Sequence, residues 1–295
     1  MLETISLSHR YPAAEADALH DVSLHIGRGE CWGLIGHNGA GKTTLMSLLA
    51  GLQEVQRGEV RVGGVPFARL ERAARQKIGL VPQDFAFYPQ LSVWDNMMFF
   101  ASLYGIRDKK HLAVLLEQAD LSDHRNKAAK HLSGGLKRRL NFAIGLINRP
   151  ELLFLDEITV GIDPQSRRFI ADSVAAQTAA GVTVVYTSHY FQEIESLCSR
   201  IAWLDAGRLK YAGGIRGLLQ QSVPLVEFSL DKMPSAHHLA AWQAEAVGGG
   251  VYRAAADAEI AAEIYQSCRV YGIRYFRQGC GSLESLYLDF LKGSA

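Results

Sequence analysis

The sequence predicts an α/β protein, a mixed sheet with an antiparallel opening piece and flanking helices, followed by a small α+β piece at the C-terminal end. Three observations predict it. A short apolar run from Glu30 to Ile35 flows through the glycine-rich GHNGAGKTT into the apolar-periodic LMSLLAGL, the pattern of strand, loop and helix. Leu152 to Leu155 and Val182 to Thr187 are continuously apolar or β-branched, as parallel strands are when helices cover both faces. Near Gly213 to Gln221 the composition shifts, and short alternating and helical segments replace such runs.

Taken in order, Leu2 to His9 reads as a strand, Tyr11 to Asp17 as a polar turn and Val22 to Ile26 as a second strand, an antiparallel start. After the strand–loop–helix unit, Val60 to Val65 and Ile78 to Val81 are strand candidates. Val93 to Tyr104, Lys110 to Ala119 and Gly135 to Asn148 have helical spacing and predict a helical subdomain over about 85–150. A further apolar run, Ile201 to Leu204, follows the two already described. In the tail, Val223 to Leu230 alternates like a strand, and Ser235 to Glu245 reads as a helix. Gly248-Gly249-Gly250 then makes a turn, Asp257 to Cys268 a helix, Ile273 to Arg277 a strand and Ser282 to Leu291 a closing helix. These elements divide the chain into a main domain, 1–215, and a smaller accessory domain, 222–295. The sequence holds no internal repeat and no low-complexity tract.

With 295 residues, 48% hydrophobic and 21% charged, the composition is that of an ordinary globular protein and excludes disorder. Its 31 basic residues against 30 acidic give a formal charge of +1, so the overall basic excess of a nonspecific nucleic-acid binder is missing. Cys31, Cys198, Cys268 and Cys280 lack paired metal-site spacing and are too few for a disulfide scaffold, which points to a reducing compartment. The start, MLETISLSHRY, has no apolar leader, and no segment reaches eighteen uninterrupted apolar residues. The chain is therefore expected neither to be secreted nor to span a bilayer.

Three stretches carry chemistry. Gly36-x-x-x-x-Gly41-Lys42-Thr43 satisfies the phosphate-loop pattern between a strand and a helix. Glycines let successive N–H groups face one anion, and the helix N-terminus adds positive potential. Lys42 reaches the β- and γ-phosphates, the Thr43 hydroxyl ligates magnesium and Thr44 adds a donor. The alternative is a glycine turn that binds nothing. At the end of LLFLDE, Asp156 is placed to hold a metal and Glu157 to act as general base, whereas alone the run would be a solvated strand end. Leu132-Ser133-Gly134-Gly135 opens a second helix, with Ser133 as N-cap and the glycines allowing close approach to phosphate. Taken alone, that helix would carry Lys137, Arg138 and Arg139 as a solvated face.

Together and in this order these stretches resemble an ATP-binding-cassette (ABC) ATPase, a P-loop NTPase, over residues 1 to about 215. GHNGAGKTT, residues Gly36, His37, Asn38, Gly39, Ala40, Gly41, Lys42, Thr43 and Thr44, resembles the Walker A loop, and Gln83 in LVPQD the Q-loop. LSGGL resembles the ABC signature, LLFLDE the Walker B strand, Gly161-Ile162-Asp163 the D-loop and His189 in YTSHY the switch histidine. Tyr11 matches the aromatic position that stacks on adenine. The resemblance implies ATP and Mg2+ as cofactors, with Thr43, Gln83 and Asp156 on the metal. It implies catalytic roles for Lys42, Glu157, which polarises water, His189, which contacts the γ-phosphate, and Gln83, which reports nucleotide state. It also implies a head-to-tail pair in which the signature of one copy caps ATP on the P-loop of the other and Asp163 communicates across the dimer. Homodimer and closely related partner subunit both satisfy that. Ile158, where proline commonly stands, and Leu136, where a polar residue is common, depart from the family pattern without removing a catalytic group.

The finer resemblance, carried by FYPQLSVWDNMMFFASLYG, SHYFQEIESLCSRIAWLDAGRL and SLESLYLDFLKG, is to ATPase subunits of ABC-2-type exporters. It implies a separate integral membrane permease, a peripheral place on the inner face of the cell membrane, no nucleic-acid partner, and a cargo chosen by the permease. Most of the aromatic and methionine side chains from Phe85 to Tyr104 are expected in a core, with a few lining the cleft that receives a permease helix. His237-His238 is expected as an exposed helical pair. The competing classes are a soluble ABC ATPase acting on nucleic acid or ribosomes and an ATP-dependent regulatory protein.

Overall fold

The computed structural model describes residues 1–12, 14–220, 224–279 and 282–293. Val223, Cys280 and the start of the expected accessory domain at 222 lie outside the described residues. The chain forms two compact units, Met1–Gly214 and Ile215–Ala295.

In the first unit the elements run β1 (Leu2–His9), β2 (Leu19–Ile26), β3 (Cys31–Ile35), α1 (Lys42–Leu49), β4 (Arg57–Val62), β5 (Val65–Pro66), α2 (Arg72–Arg75) and β6 (Ile78–Val81). Then come α3 (Val93–Leu103), α4 (Lys109–Gln118), α5 (Gly134–Gly145), β7 (Leu152–Asp156), α6 (Pro164–Ala179), β8 (Thr183–Thr187), α7 (Phe191–Leu197), β9 (Arg200–Asp205) and β10 (Arg208–Gly214). An antiparallel sheet has the order β2-β1-β4-β5, and a six-stranded sheet the order β10-β9-β3-β8-β7-β6. The latter is parallel except for β10, which pairs antiparallel with β9 at the edge. Every residue of β3 and of β8 is buried, the mark of central parallel strands covered on both faces.

One core joins the two sheets through α1. Leu7, Val22 and Val60 come from the antiparallel sheet, Leu34, Phe154 and Val185 from the other, and Leu45, Met46 and Leu48 from α1. Burial of each large side chain stabilises by about 1.5–3 kcal/mol, so the orientation of α1, and of the loop that enters it, is set by packing on two sides.

The strand expected over Val60 to Val65 is broken by the Gly63-Gly64 turn into β4 and β5, both glycines having positive φ. The helix α6 has no counterpart in the periodic pattern because only Ser166, Ile170 and Val174, a stripe one residue wide, are buried on it. Its start was nonetheless marked: Asp163 accepts the Ser166 N–H at 2.9 Å and Pro164 occupies the first turn.

The second unit contains α8 (Ile215–Gln220), β11 (Leu225–Leu230), α9 (Ala236–Ala241), β12 (Glu245–Gly248), β13 (Val251–Ala255), α10 (Ala258–Cys268), β14 (Ile273–Gly279) and α11 (Leu283–Gly293). From β11 to β14 this is βαββαβ with antiparallel order β12-β13-β11-β14, a ferredoxin-like arrangement. Phe228 centres its core, with ring contacts to Trp242 at 5.6 Å and Tyr252 at 5.7 Å. The helix expected from Ser235 to Glu245 is shorter. It is capped by Ser235 and stops at Ala241, and Glu245 already lies in β12. Gly248, Gly249 and Gly250, at φ 108°, 61° and 77°, close the β12–β13 hairpin.

Candidate functional site

The loop between β3 and α1 is folded onto its own lysine. The Lys42 ammonium donates to the carbonyls of Gly36 at 2.8 Å and His37 at 3.1 Å, and the side chain is buried at the first position of α1. Burial pulls the pKa of Lys42 down, while the nearby carboxylates Glu157 and Asp156 oppose that shift. Gly36 has φ 154°, and a Cβ there would sit 2.4 Å from the Leu204 carbonyl oxygen. Gly41 has φ 101°, and its Cβ would sit 2.6 Å from the carbonyl oxygen of Ala18. Only glycine fits either place. His37 turns away from the loop's concave side: its Nε2 lies 3.2 Å from Asp205 Oδ1. Ala40 is fully buried, and its carbonyl accepts the Gly207 N–H at 3.1 Å.

The two carboxylates at the end of β7 part at a strained residue. Glu157 has φ 48°, a left-handed conformation uncommon for a residue with a Cβ. Thr187, at the end of β8, holds both. Its hydroxyl accepts the Glu157 N–H at 2.9 Å and donates to Asp156 Oδ1 at 2.7 Å. Burial pushes the Asp156 carboxyl above the usual range, the Thr187 hydrogen bond counteracts, and neighbouring Glu157 adds to the rise. Glu157 Oε2 meets His189 Nε2 at 2.8 Å.

A cleft of about 550 Å³ collects much of this chemistry. Its walls are Tyr11, Ala18, Asn38, Gly39, Gly41, Lys42, Thr43, Thr44, Gln83, Glu157 and His189. Tyr11 is partly exposed there, and its hydroxyl lies 3.2 Å from Thr44 Oγ1. Gly36, His37, Ala40 and Asp156 are not among the lining residues and act from behind the wall through the contacts above. Ala18 and Thr187 were not singled out in the sequence. Neither has a distinguishing local signal, since Ala18 ends a polar turn and Thr187 is one more β-branched strand residue.

Ser133, Gly134, Gly135 and Asp163 lie outside that cleft and form a second cluster. Ser133 caps α5 by accepting the Leu136 N–H at 3.3 Å. A Cβ on Gly134 would meet nothing within 4 Å, but one on Gly135 would lie 2.0 Å from Ser166 Oγ and 2.8 Å from Asp163 Oδ2. Gly135 therefore serves the close packing of α5 on α6, not an open approach to phosphate. The solvated basic face considered for α5 is also corrected: Arg138 and Arg139 are only 4% and 6% exposed. Arg139 pairs with Asp120 at 2.8 Å and lies over the Phe169 ring. Arg138 donates to the Gln83 carbonyl at 2.7 Å. Beside it, Asn141 donates to the Pro82 carbonyl at 3.1 Å and accepts the Ala86 N–H at 3.0 Å. The departures have packing reasons in one case: Ile158 is fully buried directly after Glu157, while Leu136 is half-buried.

The aromatic stretch is less buried than expected. Phe87 and Met97 are buried, but Phe85 and Tyr88 are 42% and 51% exposed and Trp94, Met98, Phe99, Phe100 and Tyr104 are half-buried. The reason is that α3 packs through one narrow stripe, Val93, Met97 and Ala101, with Asn96 beside it. No group of three or more histidine, cysteine or acidic residues suited to a metal occurs among the described residues, His237 and His238 included.

Comparison with known proteins accords with this geometry. A family model described as "ABC transporter" matches residues 19–160. The chain is 44% identical over 191 residues to the linearmycin resistance ATP-binding protein LnrL of Bacillus subtilis, covering 64% of this chain and 61% of that one, less than two thirds of its length. It is 36% identical over 212 residues to the Nod factor export ATP-binding protein I of Paraburkholderia xenovorans, covering 71% and 70%. Among solved structures, an ATP-binding subunit of an ABC transporter superposes with TM-score 0.68 at 28% identity, over 75% of this chain and 92% of that one. The dimeric cassette MJ0796 in a post-hydrolysis state with ADP and Pi superposes with TM-score 0.66 at 26% identity, over 74% and 100%. With the phosphate loop, the paired carboxylates and the histidine gathered on this fold, the chain belongs to the ABC transporter family.

Proposed function

We propose that the chain hydrolyses ATP to drive an exporter of the ABC-2 type whose membrane permease is a separate protein. The observation that carries this is the contact of the Glu157 carboxylate with the His189 imidazole at 2.8 Å, on the wall of the cleft that begins at the phosphate loop. Lys42 and the loop amides hold the β- and γ-phosphates, Tyr11 stacks on the adenine, and Glu157 takes the proton of the attacking water. His189 orients Glu157 and contacts the γ-phosphate. Gln83, also on the wall of the cleft, senses the nucleotide.

The residues fit a magnesium ion. Asp156 is a half-buried carboxylate with a raised pKa, the state a hard cation relieves, and Thr43 and Gln83 on the cleft wall offer neutral oxygens. Bound there, magnesium would supply positive charge to offset that of the phosphates.

The second cluster, Ser133, Gly134 and Asp163, is read as the half-site that completes a neighbouring copy's or a related subunit's nucleotide pocket. The names of the two relatives, one for resistance and one for export, support the transport reading over action on nucleic acid or ribosomes. No helix among the described residues is long and apolar enough to cross a membrane; the chain is read as a peripheral subunit at the cytoplasmic face whose permease is a separate protein. The exposed Phe85 and Tyr88 are the side chains offered to that permease. The second unit is read as an accessory domain of this cassette.

The test is Glu157→Gln. The variant is expected to bind ATP with unchanged affinity and to form a stable pair in Mg-ATP, seen by size-exclusion with light scattering, while turnover falls about 100-fold or more. Undiminished turnover would refute the assignment of the base.

A further inference from the structure

Glu193 is a buried carboxylate on α7 that none of the roles above uses. The residue is 9% exposed, and one oxygen, Oε2, accepts three hydroxyl hydrogen bonds: Thr159 at 2.7 Å, Tyr186 at 2.8 Å and Ser188 at 2.7 Å. The other oxygen faces Arg167 Nε at 3.4 Å, and the Arg167 guanidinium lies over the Tyr190 ring. Three donors converging on one buried oxygen make it the acceptor that gathers these three side chains. Burial and the charge of Glu193 together push the Tyr186 phenol far above its usual range, so the tyrosine stays a donor.

The donors are not arbitrary in position. Thr159 stands two residues after Glu157 and Ser188 immediately before His189, while Tyr186 belongs to β8, the strand that ends just before Ser188. The Ser188 hydroxyl also accepts the Tyr190 N–H at 3.0 Å, so the backbone on both sides of His189 is fixed through it. Through Arg167 the same carboxylate is tied to α6, the helix that begins at Asp163.

We propose that Glu193 is a positioning residue for ATP hydrolysis: by gathering Thr159 and Ser188 on a single oxygen, it sets the separation between Glu157 and His189. The inference rests on the reading of those two side chains as the hydrolytic pair. A glutamine has the same shape but places an NH2 group against hydroxyl or guanidinium donors, so at least one of the four contacts is lost.

The test compares Glu193→Gln and Ser188→Ala with wild type in the full-length chain, with Glu157→Gln alongside. Glu193→Gln is expected to lower kcat about tenfold or more while KM for ATP stays within about twofold, the signature of an interaction needed in the transition state and not for binding. Ser188→Ala, which removes one hydroxyl and leaves the buried charge, is expected to give the same split at smaller size and keeps the test open should Glu193→Gln not fold. A second readout needs no turnover: the His189 ring signal in a 1H–13C spectrum of the nucleotide-free chain, identified by its loss in His189→Ala, is expected to move in both variants. A folded Glu193→Gln with wild-type kcat and an unmoved His189 signal would overturn the proposal, as would a kcat loss matched by an equal rise in KM. If Glu157→Gln keeps wild-type turnover, the hydrolytic reading fails by itself, and the histidine signal still decides whether Glu193 holds that loop.

Discussion

The N-termini of α1 and α5 are written in related chemical language, glycines, hydroxyl residues and basic side chains gathered about a helix start, yet the molecule treats them differently. At α1 the loop closes on Lys42, both flanking glycines are pressed against backbone, and the result is a walled cleft. At α5 the hydroxyl of Ser133 is taken up as a cap, Gly134 faces open space, and Arg138 and Arg139 are turned inward to other partners. One terminus lines a walled cleft within its own chain. The other presents a rim. The lesson is that a glycine-rich helix start specifies available N–H groups, and the surroundings decide whether they are walled into a pocket or left facing open space.

That contrast can be broken most directly at Gly36. Gly36→Ala would drive a methyl to 2.4 Å from the Leu204 carbonyl, so ATP affinity is expected to fall by about 100-fold or more, with backbone strain on the order of 1–3 kcal/mol lowering the melting temperature. Nucleotide titration and thermal melting would read both, and wild-type affinity would show that the loop is not held as described.

The signature glycines sharpen the comparison. Gly135→Ala must displace Ser166 and is expected to destabilise by about 1–3 kcal/mol. Gly134→Ala, with nothing within 4 Å, is expected to leave chemical denaturation unchanged but to slow the ATPase of the assembled pair, where a partner's nucleotide would meet the added methyl. Equal stability of the two variants would sink the assignment of Gly135 to packing.

The smallest expected effect concerns Asp156, whose carboxyl burial holds above its ordinary value of 3.8. The folded chain then binds that proton more tightly than the unfolded chain. Stability falls as pH rises from 3.8 toward the raised folded value, and the deficit persists above it. In magnesium-free buffer Asp156→Asn is accordingly expected to melt slightly above wild type at neutral pH, the gap closing on acidification. A wild type more stable than the variant at neutral pH would contradict this.

Much of the first unit was legible because its signals are short-range. The strand–loop–helix around Lys42, the apolar run ending at Asp156 and Glu157, and the Thr-Ser-His of residues 187–189 are each complete within a few residues. What was not legible depends on partners distant in sequence. Thr187 reaches back about thirty residues to Asp156 and Glu157, and Arg138 and Asn141 reach more than fifty to the segment 82–86. In the second unit the triple glycine was recognised as a turn, but a strand as short and exposed as Glu245–Gly248 has no alternation to betray it.

The ties from Arg138 and Asn141 have a mechanical consequence. Four hydrogen bonds join the stretch carrying Gln83 to the second turn of α5, each worth about 0.5–1.5 kcal/mol net and more to break where water cannot replace it. The stretch and the helix therefore behave as one lever. A displacement of residues 82–86 by a few ångströms must swing the start of α5 with it, so force applied beside the nucleotide reaches the rim at Ser133 without any wire of its own.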